Sequence, residues 1–165
     1  AYKKQLYDSR IGTTRKLVAA INEMNPAPKV FVSASAVGYY PDQGCYDEYT
    51  AVKGTSFLSD LCESWEREAS RVVPGIRLAV ARFGVVLAPD EGAFAKMAFP
   101  FRKGIAARLH VAVPGWALRL LYGEASGMLV SGPCAIPRKL LDAGFVFNAP
   151  EIAAFMSKLG KTAEK

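Results

Sequence analysis

Apolar and polar residues follow two kinds of pattern along this chain, and together they predict helices that alternate with buried strands. From Asp8 to about Asn25, apolar residues recur at helical spacing among charged ones, which predicts an amphipathic helix. Pro26 and Pro28 end this helix, because the residue before a proline disfavours helical geometry. The apolar run that begins at Val30 then predicts a strand buried on both faces.

The same order repeats in the next fifty residues. Residues 41–55 are polar, acidic and rich in turn formers, which predicts a loop over the carboxyl end of the first strand. Ser56 is placed to cap a second helix, whose apolar face consists of Phe57, Leu58, Leu61, Trp65 and Ala69. After a turn at Pro74 and Gly75, residues 76–87 form a second apolar run, which predicts a second buried strand. Helix, strand, helix, strand is the order of a parallel α/β sheet.

The last third has a different pattern. A short helix is expected at 93–101 and another, strongly apolar, around 116–122. Prolines and glycines interrupt the chain after this second helix, and a final helix is expected at about 151–159. We therefore divide the chain into an α/β domain at 1–105 and a small C-terminal cap or substrate lobe at 106–165.

Composition supports a globular, soluble protein. The 165 residues are 51% hydrophobic and 22% charged, which suits one folded domain and excludes disordered and fibrous classes. No apolar run approaches the roughly 20 residues that a membrane-spanning helix needs. The net charge of +6 fits a nucleotide cofactor or an acidic surface of a larger assembly, or is surface bias. Basic residues form no stripe with stacking aromatics, which disfavours nucleic-acid binding.

Cysteine and histidine restrict the available chemistry. Cys45, Cys62 and Cys134 form no Cys-x-x-Cys motif and leave one unpaired, which favours a reducing compartment and no structural metal. His110 is the single histidine, so most zinc sites are excluded, and any Ser-His-Asp triad would have to use it. Its apolar neighbours favour a packed side chain. The chain opens without methionine or an apolar leader, so we expect a mature or partial form of a longer protein.

Candidate chemistry gathers where the predicted strands end. The first strand ends in Ser33 and Ser35, followed by Tyr39 and Tyr40, and ligands of open parallel sheets lie outside the carboxyl ends of strands. The second strand ends at Gly84, where a ligand could approach the backbone. The alternative is an ordinary serine and glycine turn with two packing aromatics.

Five segments carry a family resemblance. They are Asp-Ser-Arg-Ile-Gly-Thr-Thr at 8–14, Ser-Ala-Ser-Ala-Val-Gly-Tyr-Tyr at 33–40, Trp-Glu at 65–66, Arg-Phe-Gly-Val-Val-Leu at 82–87 and Pro-Arg-Lys-Leu-Leu-Asp-Ala-Gly-Phe at 137–145. In this order they resemble the epimerase-like, or cell-division-inhibitor-like, branch of the atypical extended short-chain dehydrogenases/reductases, which has bacterial and plastid members.

The resemblance implies a Rossmann-like fold that binds NADP or NAD. It places Ser35 at the catalytic serine that meets a substrate carbonyl and Tyr39 at the aromatic position after it. Ser9 falls where many extended members carry an active-site asparagine. The cofactor-binding positions that it implies are Ser33, Phe83, Gly84 and Val85.

Two features of this family are missing from the chain. No Gly-x-Gly-x-x-Gly turn is present to hold a pyrophosphate, so we expect the first strands to precede Ala1 and a further segment to be absent around 104–108. The alternative is a natural remnant that lacks these parts. The family's Tyr-x-x-x-Lys pair falls near Leu58 and Cys62, which cannot perform that proton transfer. A literal Tyr-x-x-x-Lys match at Tyr49 and Lys53 lies in the predicted loop.

Two functions therefore remain open. In the first, the protein is an NAD(P)-dependent epimerase or oxidoreductase of a carbonyl compound or sugar nucleotide, with Ser35 polarising the carbonyl and Tyr39 or Tyr40 replacing the missing acid/base. In the second, it is a non-catalytic cofactor-binding protein or a structural subunit of a larger complex. RNA binding has only the net charge in its support. The resemblance allows either a plastid stroma or a bacterial cytoplasm.

Overall fold

The computed structural model describes residues 2–88 and 132–153. The predicted helices at 93–101 and 116–122, His110 and most of the predicted helix at 151–159 lie outside the described residues.

The chain begins with one continuous helical stretch. It comprises α1 (Tyr2–Tyr7), a π-helical turn (Asp8–Gly12) and α2 (Thr13–Glu23). The amphipathic pattern predicts a start near Asp8, whereas the helical stretch begins earlier, at Tyr2. The end agrees with the prediction, since the backbone is extended at Met24, just before the two prolines.

Two parallel strands with a helix between them form the centre of the fold. They are β1 (Val30–Ala36) and β3 (Arg77–Phe83), and the segment between them contains a 3-10 turn (Val37–Tyr39), the short strand β2 (Cys45–Tyr46) and α3 (Phe57–Ala69). The register runs from Val30 opposite Arg77 to Ala36 opposite Phe83. Both strands therefore end at the same edge of the sheet, as the predicted parallel α/β order requires.

The core lies between this sheet and the helices. Val18 and Ile21 of α2, Phe31 of β1 and Ala69 of α3 are buried together, and they are flanked by Val72, Ile76 and Leu78. On β1 the residues alternate between buried and exposed, and Val32 is 65% exposed. The expectation that this strand is buried on both faces is therefore wrong for the described chain, because the buried residues of β1 all lie on the face that carries α3.

A second pair of short strands lies outside this core. After the undescribed stretch, β4 (Cys134–Ala135) pairs in parallel with β2, and α4 (Arg138–Asp142) follows. A disulfide joins Cys45 to Cys134, whereas Cys62 is buried and free. This disulfide is at odds with the reducing compartment inferred from the cysteine pattern, where stable disulfides are rare. Within the described residues, no helix combines the length and the apolar character needed to cross a membrane.

Candidate functional site

Polar side chains of two strands and one helix meet at the carboxyl edge of the sheet. Ser35 and Arg82 are register partners near the ends of β1 and β3. Glu66 lies on α3, which packs against β1 and against the 3-10 turn that follows it. The topology therefore brings to one place three polar residues that are up to 47 positions apart in the sequence.

Glu66 is the centre of this cluster. Its two carboxylate oxygens accept hydrogen bonds from Arg82, from Nε at 2.8 Å and from the second terminal nitrogen at 2.8 Å. The Ser35 hydroxyl donates to the same carboxylate at 2.7 Å. The side chains of Arg82 and Glu66 are 21% and 17% exposed, so this forked ion pair is largely shielded from solvent.

Arg82 also contacts both tyrosines that follow β1. Its other terminal nitrogen donates to the Tyr40 hydroxyl at 3.1 Å. Its guanidinium carbon lies 3.7 Å from the centroid of the Tyr39 ring, within cation–π distance. The two rings meet edge to face at 5.7 Å. A positive charge is thus held against one phenol ring and hydrogen-bonded to the hydroxyl of the next.

The surroundings keep Arg82 charged. Burial by itself lowers the pKa of the guanidinium, but hydrogen bonds to Glu66 and Tyr40 and the negative charge of Glu66 outweigh it and hold the pKa above its usual range. Arg82 is therefore a permanent cation at this edge of the sheet.

The thiol of Cys62 lies beside Ser35 but is not suited to nucleophilic chemistry. Burial raises its pKa, and hydrogen bonds from the Ala36 backbone and the Ser35 side chain offset this only in part. The thiol therefore remains protonated near neutral pH.

The serines proposed from the sequence face the interior. Ser33 and Ser35 are 5% and 3% exposed, and they lie on the buried face of β1. The Ser35 hydroxyl donates a hydrogen bond to Glu66, whereas the family resemblance implies a hydroxyl that meets a substrate carbonyl. Tyr39 is half-buried and lies at the rim of the cluster, over the Arg82 cation.

The remaining cofactor candidates lie at an open surface. Phe83 and Val85 are 55% and 48% exposed. A side chain at Gly84 would meet no atom within 4 Å, so the backbone between them is open to approach.

Tyr49 and Lys53, the literal Tyr-x-x-x-Lys match, lie in the loop before α3 rather than on a helix. The ammonium group of Lys53 pairs with Asp60 at 2.7 Å and with Glu63 at 3.5 Å. The hydrogen bond that Lys53 donates to Asp60 is the main reason why the pKa of Lys53 is raised. Tyr49 is 65% exposed and its hydroxyl lies 3.5 Å from Asp142. The spacing therefore does not produce the stacked tyrosine–lysine geometry on one helical face that the motif requires.

Ser9 lies in the π-helical turn and, with Lys4, Gln5 and Asp8, lines an open cleft of about 470 Å³. Its hydroxyl donates to the Leu6 carbonyl at 3.1 Å. The structure does not place Ser9 among the hydrogen-bonding partners of the Glu66 cluster.

Sequence reasoning did not propose Glu66 and Arg82 as site residues. A signal was present, because an arginine inside an apolar strand needs a carboxylate partner when it is buried. Which carboxylate serves as that partner depends on how α3 lies across the sheet, and local periodicity carries no such information.

Comparison with known proteins identifies relatives of both parts of the chain. Residues 113–159 match the family described as "Domain of unknown function (DUF1731)". An epimerase family protein of Staphylococcus aureus is 40% identical over 112 residues, which are 66% of this chain and 37% of that protein. The chloroplastic epimerase family protein SDR39U1 homolog of Arabidopsis thaliana is 43% identical over 104 residues, 60% of this chain and 29% of that protein. The matched part of this chain therefore covers at most 37% of the length of these relatives.

Two solved structures share the fold. The human epimerase family protein SDR39U1 (isoform 2), crystallised with NADPH, superposes with a TM-score of 0.84 at 24% identity, covering 97% of this chain and 75% of that one. The nucleoside-diphosphate sugar epimerase of Corynebacterium glutamicum superposes with a TM-score of 0.73 at 22% identity, covering 97% and 43%. The expected α/β fold, a Rossmann-like parallel sheet with flanking helices, is confirmed.

Proposed function

We propose that this chain belongs to the epimerase-like branch of the extended short-chain dehydrogenases/reductases and is part of an NAD(P)-dependent epimerase or oxidoreductase, because its curated relatives are epimerase family proteins. Its substrate would be a carbonyl compound or a sugar nucleotide. The observation that carries this proposal is the Arg82 cation, which Glu66 holds 3.7 Å from the Tyr39 ring at the carboxyl edge of a parallel sheet. Ligands of such sheets bind at this edge.

The described residues fit one end of a nicotinamide dinucleotide. Phe83 and Val85 offer exposed apolar surface on either side of the open backbone at Gly84, which suits a flat aromatic ring. No glycine-rich strand-to-helix turn, the usual pyrophosphate site, is present among residues 2–88 and 132–153. When bound, the cofactor would supply hydride transfer. The crystallised human relative with NADPH supports this class of cofactor.

Tyr39 is the proposed proton donor and acceptor. Its phenol is half-buried at the rim of the cluster, where a substrate oxygen at the sheet edge can meet it. Arg82 provides a fixed positive charge beside this phenol, the role that lysine has in Tyr-x-x-x-Lys enzymes. Tyr40 is 3% exposed and accepts a hydrogen bond from Arg82, so we assign it to holding that charge in place.

Ser35 acts in this proposal as a positioning residue. Its buried hydroxyl donates to Glu66, and Glu66 in turn fixes both sides of the Arg82 fork. A change at Ser35 would therefore reach the reaction through the orientation of Arg82.

The test separates cofactor binding from turnover. Calorimetry with NADPH and NADH on the full-length protein should give saturable binding for wild type and for Tyr39→Phe. Hydride transfer from labelled cofactor to a panel of carbonyl compounds and nucleoside-diphosphate sugars should be lost in Tyr39→Phe and kept in Tyr2→Phe, which changes an exposed tyrosine of α1. Absence of saturable binding of either cofactor would overturn the enzyme proposal, and unchanged turnover in Tyr39→Phe would overturn the role of Tyr39.

A further inference from the structure

The disulfide between Cys45 and Cys134 lies at the protein surface. The two cysteines are direct register partners in the parallel pair β2 and β4, and both residues are exposed. They are 89 positions apart in the sequence, so the bond ties two distant segments of the chain together.

This bond adds a covalent link to the surface contacts that hold residues 132–153 against the rest of the described chain. No described residue in 132–153 is buried. Beside the β2–β4 pair, backbone hydrogen bonds join this segment to the rest of the described chain from Cys134 to the Gly44 carbonyl at 3.0 Å and from Ile136 to the Tyr46 carbonyl at 2.8 Å, and the Tyr49 hydroxyl lies 3.5 Å from Asp142. The backbone of Lys139 also donates to Glu48. Exposed hydrogen bonds of this kind contribute little each, whereas the disulfide is a covalent bond.

The same short strand supports the candidate site. Tyr46 directly follows Cys45, and its ring stacks on Tyr40 at 5.4 Å with an interplanar angle of 4°. Tyr40 in turn accepts the hydrogen bond from Arg82. A change in how β2 is held would therefore reach the tyrosines and the arginine through direct contacts.

We propose that Cys45 and Cys134 form a reversible redox modification site, opened by a dithiol reductant, whose opening releases residues 132–153 from β2. A thiolate of the reductant attacks one sulfur, and the other sulfur leaves as a thiolate and takes up a proton. The second thiol of the reductant then resolves the mixed disulfide, so the reductant becomes a disulfide as the protein gains two electrons and two protons. A disulfide oxidant reverses the step.

The third cysteine provides an internal contrast. Exposed disulfides are the labile ones in exchange reactions, because the attacking thiolate must reach a sulfur atom. Cys62 is 3% exposed and burial raises the pKa of its thiol, so it is shielded from exchange. The proposal rests on this pattern of exposure and pairing and is independent of the proposed enzymatic function.

Peptide mapping under non-reducing conditions tests the pairing in the full-length protein. After treatment with oxidised glutathione and alkylation of free thiols, the Cys45 and Cys134 peptides should be cross-linked and the Cys62 peptide alkylated only after unfolding. Dithiothreitol should open the cross-link in the folded protein, and renewed oxidation should restore it. A cross-link that involves Cys62, or no cross-link at all, would overturn the proposal.

Limited trypsin digestion tests the release. Cleavage after Arg138 and Lys139 should become about tenfold faster on reduction, because local opening sets the rate at which a folded segment is cut. The Cys45→Ser/Cys134→Ser variant should be cut at the fast rate with or without reductant, and Cys62→Ser should behave as wild type. Equal cleavage rates for oxidised and reduced wild type would contradict the release, and that comparison requires no variant to fold.

Discussion

At the scale of single residues, Arg82 determines the character of the site. A charge inside a strand loses much of its hydration on folding, and this cost is met when a partner and hydrogen bonds are supplied. Glu66 provides both carboxylate oxygens and Tyr40 provides a third acceptor. Removal of one partner leaves the other charge largely shielded and uncompensated.

Arg82→Met should therefore destabilise the protein by about 3 kcal/mol, because Glu66 then lacks its counter-charge. Arg82→Lys should recover part of this loss, since an ammonium group restores the charge but cannot bind both carboxylate oxygens as a planar fork. Urea unfolding measures both effects. Arg77→Met, at the exposed start of the same strand, is the matched control and should change stability by less than about 0.5 kcal/mol. Equal losses at the two positions would show that the ion pair carries no special weight.

Substitutions of the two tyrosines should affect different properties, namely the free energy of unfolding for Tyr40 and turnover for Tyr39. Tyr40→Phe removes the hydroxyl that accepts from Arg82 and should cost about 1–2 kcal/mol of unfolding free energy. Tyr39→Phe keeps the ring over the guanidinium and should change stability by less than about 0.5 kcal/mol while it abolishes turnover. Unfolding curves and hydride-transfer rates of the two variants check this, and the reverse order of stability losses would contradict the assignment.

The sequence locates the site but not its internal bonds. The end of an apolar strand and the family resemblance both direct attention to Ser35 and Tyr39, and the structure places these residues at the carboxyl edge of the sheet. The direction in which Ser35 points follows from which face of β1 carries α3, and that is a matter of tertiary packing. The Glu66–Arg82 pair depends on the same packing, so local pattern alone could not assign it.

At the scale of elements, long periodic segments are predictable and very short ones are not. The cap at Ser56 is confirmed, since its hydroxyl accepts from the backbone of Ser59 at the start of α3. The strands β2 and β4 contain two residues each, too few for an alternating pattern, and only their pairing across the fold reveals them. The π-helical turn likewise has no distinctive residue pattern.

Gly54 lies in the loop before α3 and contacts the backbone of Tyr39 and Tyr40 closely. Its N–H donates to the Tyr39 carbonyl at 2.8 Å, and a side chain there would lie 2.9 Å from the Tyr40 carbonyl oxygen and 2.5 Å from the Ser59 hydroxyl. Gly54→Ala should therefore cost about 1–3 kcal/mol in urea unfolding, as overpacking does elsewhere.

Gly12→Ala is the matched control for this substitution. Gly12 has helical backbone angles and open space where a side chain would go, so alanine there should be neutral or stabilise by up to about 1 kcal/mol. A similar loss at both glycines would contradict the steric explanation for Gly54.

At the scale of the whole molecule, the described chain is built on the parallel pair β1 and β3 with α2 and α3 on one face, and the second pair β2 and β4 and the helix α4 lie outside this core. The fold agrees with that of the solved epimerase family structures, although the chain matches only a minor share of its curated relatives' length. The helices α2 and α3 pack against each other. One ion pair crosses that contact, because Arg15 of α2 binds both carboxylate oxygens of Glu68 on α3, at 3.0 and 3.3 Å.

This ion pair should make stability depend on pH in the acid range. The hydrogen bond from Arg15, opposed in part by burial, lowers the pKa of Glu68, and the charges of Arg15 and Arg71 add to this effect. A carboxylate whose pKa is lower in the folded state adds stability above the pKa of the unfolded chain, about 4.3 for glutamate, and loses it as the pH falls through the folded value. Glu68→Gln should therefore be less stable than wild type at pH 7, and the difference should shrink below about pH 4.3. Glu23→Gln, at the exposed end of α2, removes the same charge without this contact and serves as the control in urea unfolding at each pH. A wild-type advantage over Glu68→Gln that stays constant from pH 7 to pH 3 would show that the carboxylate charge is not what joins the two helices.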